Sequence, residues 1–164
     1  MIEYSREALP EYNRAALEQE LVLDEGRYFT PYKDSLGYWL VGVGHLLSEP
    51  EMAKIALANA ITREECAAFL AEDIAMAEKV LNFIFPPWRQ LDDVRQRAML
   101  NLTFNLGYKL RTFQHFLAAM RRNDWDNAAD ALIDSTWYVQ VKTRGPRIVR
   151  MIREGKPWWH GDAK

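Results

Sequence analysis

Residues 27–47 interrupt a chain whose apolar residues elsewhere recur at helical spacing. This stretch is rich in aromatic and β-branched residues on both sides of a turn-forming sequence at residues 34–37, which is typical of a hairpin or a small sheet. Helical patterns flank it, so the sheet cannot extend further in either direction. The pattern therefore predicts an α+β protein whose sheet is confined to one lobe.

The helices on either side of this stretch have recognisable ends. Apolar spacing predicts a first helix over residues 10–24, with Pro10 in its first turn and Gly26 as its stop. Thr62 and Glu65 have the spacing of a capping box, at the start of a helix long enough to span a small protein. These signals place a helix directly before and directly after the sheet.

Further helices are predicted in the second half of the chain. The long helix should stop at Pro86 and Pro87, because proline cannot continue a helical hydrogen-bond ladder. Of the helices that follow, one is expected to be closed by Gly107, one to be opened by Asp124 as its N-cap, and one to end at Gly155.

Length and composition predict a single domain. A chain of 164 residues with 49% hydrophobic residues can bury a core, and no repeat or linker divides it. We expect a small N-terminal β-hairpin lobe and a larger C-terminal helical lobe, joined by the long helix. Within the domain 1–164, the expected parts are a small lobe over about 20–60, the connecting helix over about 61–85, the helical lobe over about 86–164, and an N-terminal helix within 1–20 packed on the helical lobe.

Several classes of protein are disfavoured. The single cysteine, Cys66, cannot form an internal disulfide and is expected to be a small apolar residue on a helix. The N-terminal residues contain no apolar stretch long enough for a signal peptide or a membrane span, which predicts synthesis in the cytoplasm. Residues 1–88 hold 7 Lys and Arg against 15 Asp and Glu, whereas residues 89–164 hold 14 against 8. Only the C-terminal half could attract an anionic partner.

Two carboxylates, Glu25 and Asp34, lie nine positions apart in unlike surroundings. Glycoside hydrolysis needs one protonated carboxyl to donate to the leaving oxygen and one ionised carboxylate to activate water or attack carbon. Glu25 ends an apolar helix, where desolvation and the helix C-terminus both disfavour its charged form, and Asp34 lies in a polar turn. On spacing alone, an ordinary surface Glu and an ordinary turn Asp are the simpler explanation of the pair.

The surrounding motifs favour the catalytic interpretation. In order along the chain they resemble the signature of the phage-type lysozymes, glycoside hydrolase family 24, over roughly residues 20–157. The motifs are "DEG" at 24–26, "YKD" at 32–34, "GYW" at 37–39, "GVGHLL" at 42–47, "AMLNLTFNLG" at 98–107, "DWDNAAD" at 124–130, "STWYVQV" at 135–141 and "TRGPRIV" at 143–149.

The resemblance implies a lysozyme-like fold and a muramidase that cleaves the bond between N-acetylmuramic acid and N-acetylglucosamine in peptidoglycan. Glu25 matches the family's general acid and Asp34 its second carboxylate. The family's reaction inverts the anomeric centre, which corresponds to a carboxyl separation of roughly 6.5 to 9.5 Å. No metal or organic cofactor is implied. The expected partner is bacterial peptidoglycan, with no nucleic acid and no membrane insertion, and the expected state is a monomer.

One position departs from the family. Six residues after Asp34 the family usually carries a threonine whose hydroxyl helps to place the attacking water, and here that position is Leu40. Leucine offers no donor or acceptor. If residues 30–34 are extended, alternation places Thr30, Tyr32 and Asp34 on one side of the strand, so Thr30 or Tyr32 could supply the missing hydroxyl. Thr30 as an ordinary strand residue is the simpler alternative.

Further residues match family positions. His45 matches a histidine that pairs with an acid on the long helix, here Asp73, in a structural ion pair. The matches to substrate-binding positions, alongside Tyr32, are Leu46, Phe104, Asn105, Trp137, Gln140 and Arg144. Aromatic faces stack on sugar rings and Arg can bind a carboxylate bidentately, although core packing is an alternative for Phe104 and Trp137.

Three hypotheses of function remain. The first is an active endolysin that reaches the wall after release through a membrane pore made by another protein. The second is a lysozyme fold that binds glycan with little turnover, because Leu40 has replaced the hydroxyl. The third, a nucleic-acid binder, is disfavoured because the basic residues are dispersed and no recognised binding motif occurs.

Overall fold

The computed structural model describes residues 9–157, which form helices and one small sheet. The predicted α+β class is therefore confirmed. The helices are α1 (Arg14–Glu25), α2 (Glu49–Ala58), α3 (Arg63–Ile84), α4 (Asp93–Leu106), α5 (Gln114–Arg121), α6 (Trp125–Ile133), α7 (Thr136–Gln140) and α8 (Arg144–Glu154). Two 3₁₀ helices cover Pro86–Gln90 and Gly107–Thr112, and the strands are β1 (Tyr28–Lys33), β2 (Trp39–Gly42) and β3 (His45–Leu46).

These residues divide into two compact units. The sheet unit comprises residues 14–79, and the helical unit comprises residues 9–13 and 80–157. The boundary falls within α3, between Lys79 and Val80. The proposed subdivision into lobes at residues 20, 60 and 85 stays a prediction.

The first helix begins later than predicted. α1 starts at Arg14, and Pro10 lies before the helix instead of in its first turn. The carbonyl of Pro10 accepts a 2.7 Å hydrogen bond from Gln96 Nε2, and the backbone N–H of Asn13 donates to Asp93 Oδ1 at 2.6 Å. These contacts hold residues 10–13 against the helical unit, so they are not available to a helical ladder.

The predicted stop of α1 is confirmed. Gly26 adopts φ +76°, and its N–H donates to the Val22 carbonyl at 2.8 Å. A left-handed residue at this place is the common way to end a helix, and glycine adopts it without steric cost. Leu17 and Leu21 are fully buried on the inner face of α1, which fixes the helix and therefore its last residue, Glu25.

The predicted sheet has three antiparallel strands in the order β1-β2-β3. The register pairs Leu40 on the central strand with Tyr32 on β1 and with Leu46 on β3. Tyr28 pairs with Gly42, so four residue steps on β1 oppose two steps on β2 between the two paired positions. β1 therefore contains a bulge between Tyr28 and Tyr32.

Helix α2 is not among the predicted elements. Ser48 caps it with a capping box: its hydroxyl accepts from the Glu51 N–H, and the Glu51 carboxylate accepts from the Ser48 N–H at 2.8 Å. Its C-cap, Asn59, is left-handed at φ +56°. The Ser-x-x-Glu spacing is a sequence-level start signal that could have predicted this helix.

The other predicted helix ends are confirmed. The capping box of α3 is formed by Thr62 and Glu65, with N···O distances of 2.8 and 3.1 Å. Gly107 closes α4, Asp124 caps α6, and Gly155 ends α8 with φ +62°. Each end uses a contact within a few residues of chain, which is why the sequence pattern predicts it.

The core of the helical unit surrounds α4 and the segment before it. Residues 96–103 of α4 are buried on every side, and Phe85 and Trp88 are fully buried. Trp88 Nε1 donates to Asn82 Oδ1 at 2.8 Å, so its polar atom is satisfied. Within residues 9–157, no helix combines the length and the apolar character that crossing a membrane requires.

Candidate active site

Glu25 is held at the end of α1 by the backbone of the sheet. Its side chain is half-buried, and a Cβ added to Gly44 would lie 3.0 Å from Glu25 Oε2. Gly44 forms part of the turn between β2 and β3 and adopts φ +66°. The carboxylate therefore rests directly against a backbone position that only glycine fits without strain.

Asp34 is held by the turn between β1 and β2. Its Oδ1 accepts hydrogen bonds from the backbone N–H groups of Leu36 and Tyr38, both at 2.9 Å. Its own N–H donates to the Tyr38 carbonyl at 3.0 Å. Among the described residues neither side-chain bond uses Oδ2, so the turn fixes the carboxylate through one oxygen. Asp34 can therefore form the turn through Oδ1 and also have a chemical role through Oδ2.

The negative charges of Glu25 and Asp34 both act on Tyr32. Burial raises the pKa of its hydroxyl above the ordinary value, and the negative charges of Glu25 and Asp34 raise it further, with a contribution from Tyr28. Its ring lies 4.8 Å from the Tyr28 ring, which in turn packs against Gly26. The structure therefore brings Glu25, Asp34 and Tyr32 together within electrostatic reach.

The bulge in β1 breaks the alternation that predicted Thr30 and Tyr32 on one side of the strand. Thr30 is exposed and lies within the irregular stretch, whereas Tyr32 lies past it, in regular pairing with Leu40. Leu40 is half-buried between its two cross-strand neighbours. The role of Thr30 stays a prediction. Strand alternation does not determine which residues lie near it.

His45 lies in a polar cluster of the sheet unit. Its Nδ1 is 2.8 Å from Asp73 Oδ2 on α3, the predicted partner, and its Nε2 is 3.2 Å from Glu51 Oε1 on α2. The imidazole stacks on Phe69, with ring centroids 4.2 Å apart and planes 10° apart. The sequence analysis did not identify Glu51, because its capping role and its contact with His45 both depend on α2.

The charges around His45 control its protonation. Burial lowers the pKa of His45, but the hydrogen bonds and charges of Asp73 and Glu51 outweigh that effect, so the pKa lies above its ordinary value. Burial tends to raise the pKa of Glu51, while its bonds to Ser48 and to His45 lower it overall. A cluster of this kind stabilises the protonated histidine.

Asp73→Asn should destabilise the protein more at pH 5.5 than at pH 8. Because the folded-state pKa of His45 is raised, its stabilisation is complete below the ordinary histidine value of about 6.5 and is lost as the pH rises through the raised pKa. We expect a loss of roughly 1 to 2 kcal/mol at pH 5.5. Urea unfolding at both pH values measures it. Glu72→Gln, an exposed neutralisation on the same helix, should have the same small effect at both pH values.

The other predicted binding residues lie in the helical unit. Trp137 is buried and its Nε1 donates to Asn105 Oδ1 at 2.8 Å, and buried Arg144 donates from Nε to Asn101 Oδ1 at 2.9 Å. Phe104 is half-buried and Gln140 is exposed, while Leu46 is exposed on the sheet unit. The burial of Trp137 fits the core-packing alternative, and sugar contact by these residues stays a prediction.

No set of three or more His, Cys, Asp or Glu side chains with the spacing of a metal site occurs within residues 9–157. Cys66 lies buried on α3. Burial raises the pKa of its thiol, and the positive charge of Arg27 opposes this shift. It behaves as the small apolar helix residue that the sequence predicts.

The α+β fold carries a helix-terminal glutamate and a turn aspartate, and the charges of both contribute to the raised pKa of Tyr32. The family model described as phage lysozyme matches residues 23–151. The chain therefore belongs to the phage lysozyme family and is a glycoside hydrolase of the lysozyme class.

Individual relatives agree with this membership at moderate identity. "Probable T4-type lysozyme 1" of Dictyostelium discoideum is 26% identical over 86% of this chain and 95% of the relative. The "Pre-baseplate central spike protein Gp5" of Enterobacteria phage T4 is 29% identical over 85% of this chain but only 28% of the relative. The "Endolysin" of Acyrthosiphon pisum secondary endosymbiont phage 1 is 30% identical over 64% of this chain and 66% of the relative.

Proposed function

We propose that the protein is a peptidoglycan muramidase that hydrolyses the β-1,4 bond between N-acetylmuramic acid and N-acetylglucosamine. Glu25 acts as the general acid and Asp34 as the second carboxylate. One observation carries this assignment: Glu25 rests against Gly44 in the β2–β3 turn and Asp34 is fixed in the β1–β2 turn, so both carboxylates lie at the same small sheet. Family membership supports peptidoglycan as the substrate.

The chemistry follows from the unlike settings of the two groups. Glu25 donates its proton to the glycosidic oxygen while the bond from that oxygen to the anomeric carbon breaks. The electron pair of that bond stays on the departing oxygen, which takes up the proton. A water molecule bonds to the anomeric carbon and loses one proton to Asp34. The products are two glycan ends, and proton exchange with solvent returns both carboxyls to their starting states.

Inversion is the outcome we propose. The backbone bonds of Asp34 Oδ1 hold this carboxylate at the β1–β2 turn, while Glu25 rests against Gly44 in the β2–β3 turn. A fixed carboxylate that receives a proton from water, without itself attacking carbon, gives a product of inverted configuration. No metal or organic cofactor takes part in this scheme.

The remaining proposals concern the partner and the place of action. Tyr32, Leu46, Phe104 and Gln140 are proposed to contact glycan, together with Asn105, Trp137 and Arg144. We propose that the protein acts on the bacterial cell wall as a monomer, after release through a pore made by another protein. Neither nucleic acid nor a membrane is a proposed partner.

The identity of the new reducing end tests the proposal. Purified peptidoglycan is digested, the soluble products are reduced with borohydride, and the sugar alcohols are separated after acid hydrolysis. A muramidase gives muramitol, and we expect this product alone. Glucosaminitol would show cleavage of the other glycosidic bond. Co-sedimentation with the wall and no new reducing end would support the alternative that Leu40 has left a glycan-binding protein.

A further inference from the structure

Leu40 leaves the proposed reaction without the hydroxyl that would hold the attacking water. A leucine side chain can neither donate nor accept a hydrogen bond. A water held by Asp34 alone would be free to rotate about that single contact, and poor alignment of a reacting group is costly. The inference below rests on the proposed function and concerns which residue of this chain holds that water.

Tyr32 stands beside the position of the missing hydroxyl. It pairs directly with Leu40 across the β1–β2 ladder, and Leu46 is the neighbour of Leu40 on the other side. Directly opposed residues of an antiparallel pair project from the same face, with Cβ atoms about 4.5 to 5.5 Å apart. In the row formed by Tyr32, Leu40 and Leu46, Tyr32 is the only member with a polar side-chain atom.

Two features of its surroundings suit the Tyr32 hydroxyl to holding a water. Its ring packs at 4.8 Å against the Tyr28 ring, which restricts the side chain. Burial, followed by the charges of Glu25, Tyr28 and Asp34, raises the pKa of its hydroxyl, so the phenol keeps its proton at neutral pH. A protonated phenol can both donate and accept a hydrogen bond, as a threonine hydroxyl can.

Thr30 is the competing hydroxyl on the same strand. It is exposed and lies within the bulge between Tyr28 and Tyr32, so no regular cross-strand pairing places it beside Leu40. The pairing register favours Tyr32.

We propose that the Tyr32 hydroxyl holds the attacking water in place of the hydroxyl that Leu40 lacks. One hydrogen of the water points to Asp34 and the other to the Tyr32 oxygen, which leaves a lone pair directed at the anomeric carbon. As the new C–O bond forms, the first proton passes to Asp34. Tyr32 keeps its own proton throughout and is not consumed.

Steady-state kinetics on soluble, uncross-linked glycan strands test this role. Tyr32→Phe keeps the ring contact with Tyr28 and removes one oxygen. We expect kcat to fall roughly 10- to 100-fold with KM within about twofold, because the lost contact positions water and not sugar. Tyr108→Phe, the same change at an exposed tyrosine of the helical unit, should leave both constants within about twofold.

Rescue separates positioning from structural damage. Leu40→Thr in the Tyr32→Phe background restores the hydroxyl at the family's usual position, and we expect kcat to recover at least about tenfold. A rise in KM alone for Tyr32→Phe, or a larger loss of kcat in Thr30→Ala than in Tyr32→Phe, would overturn the inference. So would an inactive parent that gains turnover from Leu40→Thr, and the proposed muramidase activity of the parent would then fail as well, while Glu25 and Asp34 would keep their assigned roles. If neither the parent nor Leu40→Thr hydrolyses glycan, both proposals fail.

Discussion

Glu25→Gln is expected to lower kcat for glycan hydrolysis by about 10³-fold, because an amide cannot donate the proton that the leaving oxygen needs. The substitution is nearly isosteric at a half-buried side chain that rests on Gly44, so the fold should be retained. Kinetics on soluble glycan strands measure the change, and circular dichroism verifies the fold.

Glu18→Gln is the matched control for this prediction. It removes one negative charge from the same helix, where Glu18 pairs with Arg14 at 2.9 Å on a partly exposed face. We expect kcat within about twofold of the parent, since exposed pairs of this kind contribute little to stability. A Glu25→Gln enzyme with parental kcat would show that Glu25 is not the general acid, whatever the control shows.

Gly44→Ala is expected to lower kcat on the order of 10²-fold, because its methyl group would lie too close to the Glu25 carboxylate and would displace it. The added Cβ would lie 3.0 Å from Oε2 and 3.1 Å from Cδ, so the carboxylate must move. The backbone at φ +66° adds a stability cost of roughly 1 to 2 kcal/mol. Kinetics and urea unfolding separate the two effects.

Gly42→Ala is the matched control, since it introduces similar backbone strain without a contact with Glu25. Gly42 has φ +64°, and its added Cβ would meet Cys66 Sγ at 3.3 Å, with Ile61 as the next neighbour. We expect similar destabilisation by the two alanines but near-parental kcat for Gly42→Ala. Equal losses of kcat in both variants would mean that hairpin strain, and not displacement of Glu25, limits activity.

Local chemistry explains why much of the fold is predictable from the sequence. Gly26 ends α1, Thr62 and Glu65 open α3, and Gly155 ends α8, each through contacts within a few residues. Such signals act wherever they occur in a chain. The late start of α1 is different, because the Gln96 side chain that holds Pro10 lies 86 positions away.

The candidate site also combines features that the sequence predicts with features that it does not. The motifs that contain Glu25 and Asp34 are visible in the sequence, and the family resemblance that they carry implies the pairing of His45 with an acid on the long helix. The bulge in β1 is not visible, and it takes Thr30 out of the regular cross-strand pairing in which Tyr32 opposes Leu40. Strand register depends on long-range packing, since a shift of one residue moves every side chain to the other face.

The close approach of Gly44 to Glu25 also lies beyond sequence reasoning. A glycine with positive φ is expected in a tight turn, but the side chain that packs against the missing Cβ position comes from a different element. The second partner of His45, Glu51, belongs to the same category, since it comes from a helix that the sequence analysis did not predict.

Clearing of a purified peptidoglycan suspension by the parent, beside Glu25→Gln at equal concentration, is the most direct test of a muramidase with Glu25 as its general acid. We expect that turbidity falls with the parent, that muramic acid appears at the new reducing ends, and that both stop with Glu25→Gln. A parent that sediments with the wall without lowering turbidity, or a Glu25→Gln protein that clears as fast as the parent, would contradict this expectation.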